Sequence, residues 1–275
     1  MTLIRIDETI CKKDGFCVQE CPVAILKQKD KDSFPVMVNG GEAFCIACGH
    51  CVAVCSHGAF SHVNVPLEAC PSIEKEKIIS SDQAIQFLRS RRSIRRYKSK
   101  TLAKETIQQL IEIARYAPTG SNAQPLEWTV FTKKEDLRKI SELTVEWIRK
   151  AMNSPAAKDM PAYFSTIVAG WDFGLDVILR DAPALVIASA PGETGRNMVD
   201  PSIALTYLDL AASSMGLGAC WAGLVQMALL YSKSAREFVS LPLNHNNHYP
   251  MMMGYPKFRY HHLPERKVPV IHWRG

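Results

Sequence analysis

The sequence predicts an α+β chain in two parts: a small cysteine-rich head, then a larger body of helices and strands. Three observations carry this. Seven of the nine cysteines lie between residues 11 and 55, and only Cys70 and Cys220 lie outside. The same region repeats itself, CKKDGFCVQECP at 11–22 matching CIACGHCVAVCS at 45–56 with Gly15 over Gly49 and Val18 over Val52, as a duplicated unit does. From Ser81 onward helical and strand-like patterns alternate. The expected boundaries are 1–63 for the head, 64–80 for a linker with Pro66, Pro71 and a charged EKEK, and 81–275 for the body.

Composition narrows the class. The chain has 275 residues, 47% apolar and 22% charged, which suits one or two globular domains with a sizeable core. No apolar run reaches the length of a membrane span. The start MTLIRIDETI lacks the basic and apolar features of a secretory signal, so a cytoplasmic protein is expected. Thiols there stay reduced, and nine cysteines then point to metal or cluster ligation before disulfides. The net charge is +6, but RSRRSIRRYKSK at 89–100 holds seven of the 33 Lys/Arg, leaving 26 basic against 27 acidic residues. One basic patch on a near-neutral chain suits a local anion site and argues against an extended nucleic-acid face.

The head carries the strongest spacing. Cys45, Cys48, Cys51 and Cys55 form a complete C-x2-C-x2-C-x3-C run, in which two-residue loops let three thiolates close on one iron–sulfur cluster while the fourth serves a second cluster. On that pattern one cluster takes Cys21, Cys45, Cys48 and Cys51. The other takes Cys11, Cys17 and Cys55, with Asp14 where a fourth cysteine would stand. A carboxylate is a harder ligand than a thiolate, so this second cluster is either 4Fe–4S with an oxygen ligand or 3Fe–4S on three cysteines. Four thiolates also suit zinc, but zinc sites usually pair two separated knuckles. Ser56 stands where such a run normally ends in proline, a place Pro22 keeps in the first half.

In the body, SDQAIQFLRSRR begins as a capped helix, and KETIQQLIEIARYA is amphipathic. WTVF and APALVIASA read as buried strands. PSIALTYLDLAASSMGLG reads as a central buried helix with Pro201 in its first turn, and GACWAGLV as a strand, alone or with a loop. Three further stretches carry chemistry: RRSIRRY at 91–97, APTGSNAQPLEW at 117–128 and GYPKFRYHHLPERK at 254–267. The arginines suit a phosphate, and the amides of Asn122 and Gln124 suit the polar edge of a heterocycle. A phosphate at one end and a hydrogen-bonding ring at the other describes FMN. LNHNNHYPMMMGYP at 243–256 reads as packing or as a pocket wall. His245, His248, His261 and His262 match no metal spacing.

These motifs resemble a known family. RRSIRRY and APTGSNAQP are similar to the two N-terminal flavin motifs of the nitroreductase family, GYP with LPERK to its C-terminal phosphate-side segment, and GLGACWAGLV to the stretch lying against the flavin ring. The head resembles a two-cluster bacterial ferredoxin, and the whole chain resembles ferredoxin-fused nitroreductases. The resemblance implies a central mixed sheet wrapped by helices, with Arg91, Arg92, Ser93 and Arg95 holding the phosphate and the pyrimidine side of FMN. It further implies Asn122 and Gln124 on the ring edge, Ala222 and Gly223 offering backbone N–H groups near flavin N5, and Arg266 closing on the phosphate. It implies a homodimer with FMN at the interface.

The function expected is an FMN oxidoreductase that takes single electrons through the fused clusters, from an external ferredoxin or another low-potential donor, and reduces a nitroaromatic, a quinone or a similar acceptor. The alternative is an electron-transfer or flavin-handling module without a substrate of its own. No side chain stands out as a catalytic proton donor, and neither a membrane nor a nucleic acid is an expected partner.

Overall fold

The computed structural model describes residues 3–155, 161–195 and 197–275. They form two compact units, Met1–Ile79 with Gly120–Ala123, and Ser80–Thr119 with Gln124–Gly275. The stretch 64–79 thus groups with the first unit, where Leu67 and Cys70 pack on its core, while Ile73, Ile78 and Ile79 stay exposed.

In the first unit, β1 (Ile4–Ile6) pairs antiparallel with β4 (Phe60–His62), and β2 (Leu26–Lys27) with β3 (Val36–Met37). The repeat is visible in the backbone. Helices α1 (Phe16–Gln19) and α2 (His50–Ala53) each follow a glycine in the left-handed region, Gly15 at φ 73° and Gly49 at φ 75°, a conformation that glycine adopts without strain. Cys17, Leu26, Val52 and Phe60 form the buried centre.

In the second unit, α3 (Ser81–Ser90) starts on a capping box: the Ser80 hydroxyl accepts from the Gln83 N–H at 3.3 Å, and the Gln83 side chain accepts from the Ser80 N–H at 2.8 Å, which satisfies two otherwise orphaned donors. Then come α4 (Lys104–Ala114), β5 (Glu127–Phe131), α5 (Lys134–Met152), α6 (Tyr163–Asp172), β6 (Ala184–Ala190), α7 (Val199–Ser214), β7 (Gly218–Trp221), α8 (Gly223–Tyr231), α9 (Lys233–Val239) and β8 (Asn247–Gly254). The stretch GACWAGLV divides between β7 and the start of α8, so its second half is helix rather than strand or loop.

The sheet order is β5-β6-β8-β7. Among the described residues all of its pairings are antiparallel, where a mixed sheet was expected. The reason is that the last strand enters between β6 and β7, which run in the same direction, and so opposes both. Strand β6 is buried along its whole length. Its side chains alternate between faces: Leu185 and Ile187 pack with α5, α6, α8 and α9, while Ala184, Val186 and Ala188 pack with α4 and α7. Met251, Met252 and Met253 of β8 alternate in the same way and are 0%, 3% and 0% exposed. The methionine run is core, and Met252 also borders a cavity of this unit.

Candidate functional site

Two cavities in the first unit gather the cysteines. One is lined by Cys21, Cys45, Cys48 and Cys51, with His62 and an apolar wall that includes Ile4, Ile25, Leu26 and Met37. The other is lined by Cys11, Asp14, Cys17 and Cys55, with Lys12, Lys13, His57 and Phe60. Each cavity therefore mixes residues of both halves of the repeat.

The donors suit a cluster. Four thiols line one cavity, and three thiols with a carboxylate line the other, the kind of donor set an iron–sulfur cluster takes. Burial, then the neighbouring Cys55, Asp14 and Cys11, pushes the Cys17 thiol up to about 11. Burial, then Cys48, pushes Cys51 up to about 11.

The two cavities differ in detail. Asp14 Oδ1 accepts from the Phe16 N–H at 3.2 Å, which ties the carboxylate to the start of α1. The Cys55 sulfur accepts from the Ala59 N–H at 3.3 Å. In the other cavity His62 Nε2 lies 3.4 Å from Cys45 Sγ, and His62 Nδ1 accepts from the Asn64 N–H at 3.1 Å. Burial holds the His62 imidazole below its ordinary pKa. Asn122 Nδ2 donates to the carbonyls of Ile46 and Ala47 at 3.1 Å each, in the loop between Cys45 and Cys48, and Gly120–Ala123 belongs to the first unit. The amide expected on a ring edge thus holds cluster-loop backbone.

The second unit holds two cation-lined cavities. Arg95, Arg180, Tyr163, Cys220, Ala222, Gly223, Gln226 and Tyr249 line one. Ser90, Arg92, Lys98, Asp209, Lys257 and Arg259 line the other. The segment 91–97 separates them because it is anchored: the Ile94 N–H donates to Ala219 O at 2.9 Å, the Tyr97 hydroxyl to Ile94 O at 2.6 Å, and the Lys257 N–H to Arg96 O at 2.9 Å. Gly218 admits this close approach, since a Cβ there would meet Ile94 at 2.2 Å.

The expected phosphate arginines therefore part company. Arg91 Nη1 pairs with Asp209 Oδ2 at 3.2 Å. Burial pushes the Asp209 carboxyl up, and Arg91 pulls it back. Arg92 lines the second cavity, and only Arg95 joins Ala222 and Gly223. Ser93 hydrogen-bonds Cys220, whose thiol burial pushes up. The Ala222 N–H donates to Pro250 O at 2.9 Å, so the donors facing this cavity begin with Gly223 at the start of α8; first-turn N–H groups have no partner within a helix. Gln124 is anchored through its own N–H to Thr119 Oγ1 at 3.0 Å. Arg266 lies exposed beyond β8.

Arg180 carried no motif, yet it is the second guanidinium of the first cavity. It sits in the left-handed region at φ 59°, beside Asp181 at φ 56°. Asp176 accepts from the N–H groups of Ile178, Leu179 and Asp181 and holds that turn. Burial, then Arg95 and Arg96, pushes the Arg180 guanidinium down. A bound phosphate relieves that repulsion, so the cavity fits an anionic cofactor. Two adjacent left-handed non-glycine residues are a fold-level signal that sequence does not display. The remaining histidines are structural or exposed: His245 contacts Ser189 Oγ at 2.9 Å and His248 contacts Gln226 Oε1 at 3.0 Å, while His261 and His262 are exposed.

A helix-flanked sheet with a cation-lined cavity, together with a head whose cysteines from both halves of a repeat share two cavities, is the arrangement of a redox protein with a flavin and iron–sulfur clusters. The nitroreductase family profile matches residues 88–255, more than half of the chain, and a 4Fe–4S dicluster profile matches 3–56. The chain belongs to the nitroreductase family and is an FMN-type oxidoreductase with a fused 4Fe–4S domain. It is 25% identical over 181 residues to an Archaeoglobus fulgidus protein provisionally named NADH dehydrogenase/NAD(P)H nitroreductase, covering 64% of this chain and 87% of that one. FMN-bound nitroreductase structures share the fold: one from Desulfitobacterium hafniense at TM-score 0.56 and 20% identity, covering 71% of this chain and 100% of that one, and one from Bacteroides fragilis at 0.55 and 18%, covering 69% and 99%. No helix among the described residues is long and apolar enough to cross a membrane.

Proposed function

We propose that this chain is fed electrons through its cluster domain and reduces an electron-poor organic acceptor, a nitroaromatic, a quinone or a similar compound, at FMN. The observation that carries the reading is the presence, in one chain, of two thiolate cavities and a cavity lined by Arg95, Arg180 and the start of α8. When bound, FMN supplies both hydride and single-electron exchange, and the clusters supply single electrons. Arg95 and Arg180 offer forked donors to its phosphate. Gly223 offers a helix-terminal N–H to an electron-rich edge of the ring. Trp221 and Tyr249, with ring centroids 4.9 Å apart, form an aromatic wall of the same region. Cys21, Cys45, Cys48 and Cys51 would hold a 4Fe–4S cluster; Cys11, Cys17 and Cys55 would hold the other, with Asp14 as an oxygen ligand or beside an open corner.

The same reading makes the protein a cytoplasmic homodimer with FMN at the subunit interface. The segment after β8 supports an interface, because Val268, Val270 and Trp273 are each more than 80% exposed, an unusual cost for large apolar side chains in water. Anaerobically purified protein is expected to contain FMN and about seven or eight irons per chain, and to turn over a nitro compound or quinone with reduced ferredoxin. Turnover with NAD(P)H alone, unaffected by loss of the clusters, would remove the proposed electron route. A mass of one chain in light scattering would remove the dimer.

A further inference from the structure

The proposed reaction makes no use of a buried histidine beside the cysteines. His62, at the end of β4, is 3% exposed and borders the cavity of Cys21, Cys45, Cys48 and Cys51. Its two ring nitrogens have different partners. Nδ1 faces the Asn64 backbone N–H at 3.1 Å, which can only donate, so Nδ1 must accept. In the neutral ring the proton then sits on Nε2, which lies 3.4 Å from Cys45 Sγ. Sulfur is a weak acceptor as a thiol and a better one as a thiolate. The register Ile4↔His62 fixes the ring's Cα within the β1–β4 ladder. The geometry is therefore built by backbone pairing rather than by a mobile side chain.

We propose that His62 donates an N–H···S hydrogen bond to the Cys45 thiolate and so raises the reduction potential of the all-cysteine cluster. The inference rests on the cluster reading of this cavity. Reduction adds one electron and no proton or bond. The extra negative charge is shared with the ligand sulfurs, and an N–H aimed at one of them stabilises the more negative state. His62 is a positioning and tuning residue, not a ligand. Its effect falls on one cluster, because in the other cavity the donor to Cys55 is the backbone N–H of Ala59. The histidine sets which of two similar clusters retains an electron.

The test is a dithionite titration of anaerobic protein, following each cluster by electron paramagnetic resonance. In His62→Leu the all-cysteine cluster should become about tenfold harder to reduce, about 59 mV for one electron, while the cluster beside Asp14 stays unchanged. His62→Gln, whose amide can donate in the same place, should recover much of the shift. Equal movement of both clusters, or none at wild-type iron content, overturns the proposal. If His62→Leu fails to hold iron, wild-type protein labelled with ¹⁵N-histidine decides. A nitrogen coupling at the reduced all-cysteine cluster that disappears in His62→Gln supports the bond, and no coupling overturns it. Wild-type protein without iron would instead sink the cluster reading itself.

Discussion

The cysteine cavities of the first unit and the arginine cavity of the second gather like groups by opposite routes. In the head, Cys45, Cys48 and Cys51 come from one short run, and the left-handed glycine before each one-turn helix bends the loop identically in both halves. In the body, Arg95 and Arg180 are brought together from separate segments by a sheet and a strained turn. The first arrangement is local and repeats. The second depends on long-range packing that is costly to close. Cofactor sites of the first kind should therefore tolerate change elsewhere in the fold and fail at single ligands, and those of the second should weaken in steps.

The sharpest test is Cys48→Ala. On the proposed reading it removes a thiolate for which the run has no substitute, and it should eliminate one cluster, with iron content falling by about half and FMN content unchanged. Arg180→Ala should act in the other direction, weakening FMN at least tenfold by equilibrium dialysis, about 1.4 kcal/mol or more for a charged hydrogen bond, with iron unchanged. The comparison breaks if either substitution strips both cofactors alike.

Arg91→Ala probes the cation that was expected on the phosphate and instead faces Asp209. It should cost about 2 kcal/mol of stability, less than a fully buried pair because the guanidinium is partly exposed, with FMN affinity little changed. Its pH dependence has a definite sign. Burial already raises the Asp209 carboxyl, and loss of Arg91 raises it further. Between the unfolded and folded values the native state then binds more protons, so stability falls as pH rises. The deficit in Tm should be smaller at pH 5.5 than at pH 8. The smallest effect is expected from Asp14→Cys, which makes the first half of the repeat match the second. Iron should rise by at most one per chain, and any 3Fe resonance should vanish; an unchanged resonance would show that Asp14 does not face that corner.

Much of the head was legible. The interleaving of Cys21 with Cys45, Cys48 and Cys51, and of Cys55 with Cys11 and Cys17, was expected from the pattern of two-cluster iron–sulfur sites, and the same residues line two separate cavities. The body was legible as elements: the capped helix at 81, the amphipathic helix KETIQQLIEIA and the buried strand ALVIASA all carry their periodicity in the chain. The partners of its polar groups were not. Arg91 meets Asp209 across 118 positions, and Asn122 reaches the Ile46 carbonyl across 76. Nothing near Ala222 announces that its N–H is taken by Pro250.

By itself the sequence determined the cysteine loops, the duplicated backbone and those helices and strands whose periodicity it carries, because each rests on interactions between residues a few positions apart. Tertiary structure alone decided which arginine faces an acid and which a cavity, that Arg180 joins Arg95, and that His62 stands against Cys45. Those choices depend on how distant segments pack and on which buried polar groups can be satisfied there, and such partners leave no periodic trace in the chain.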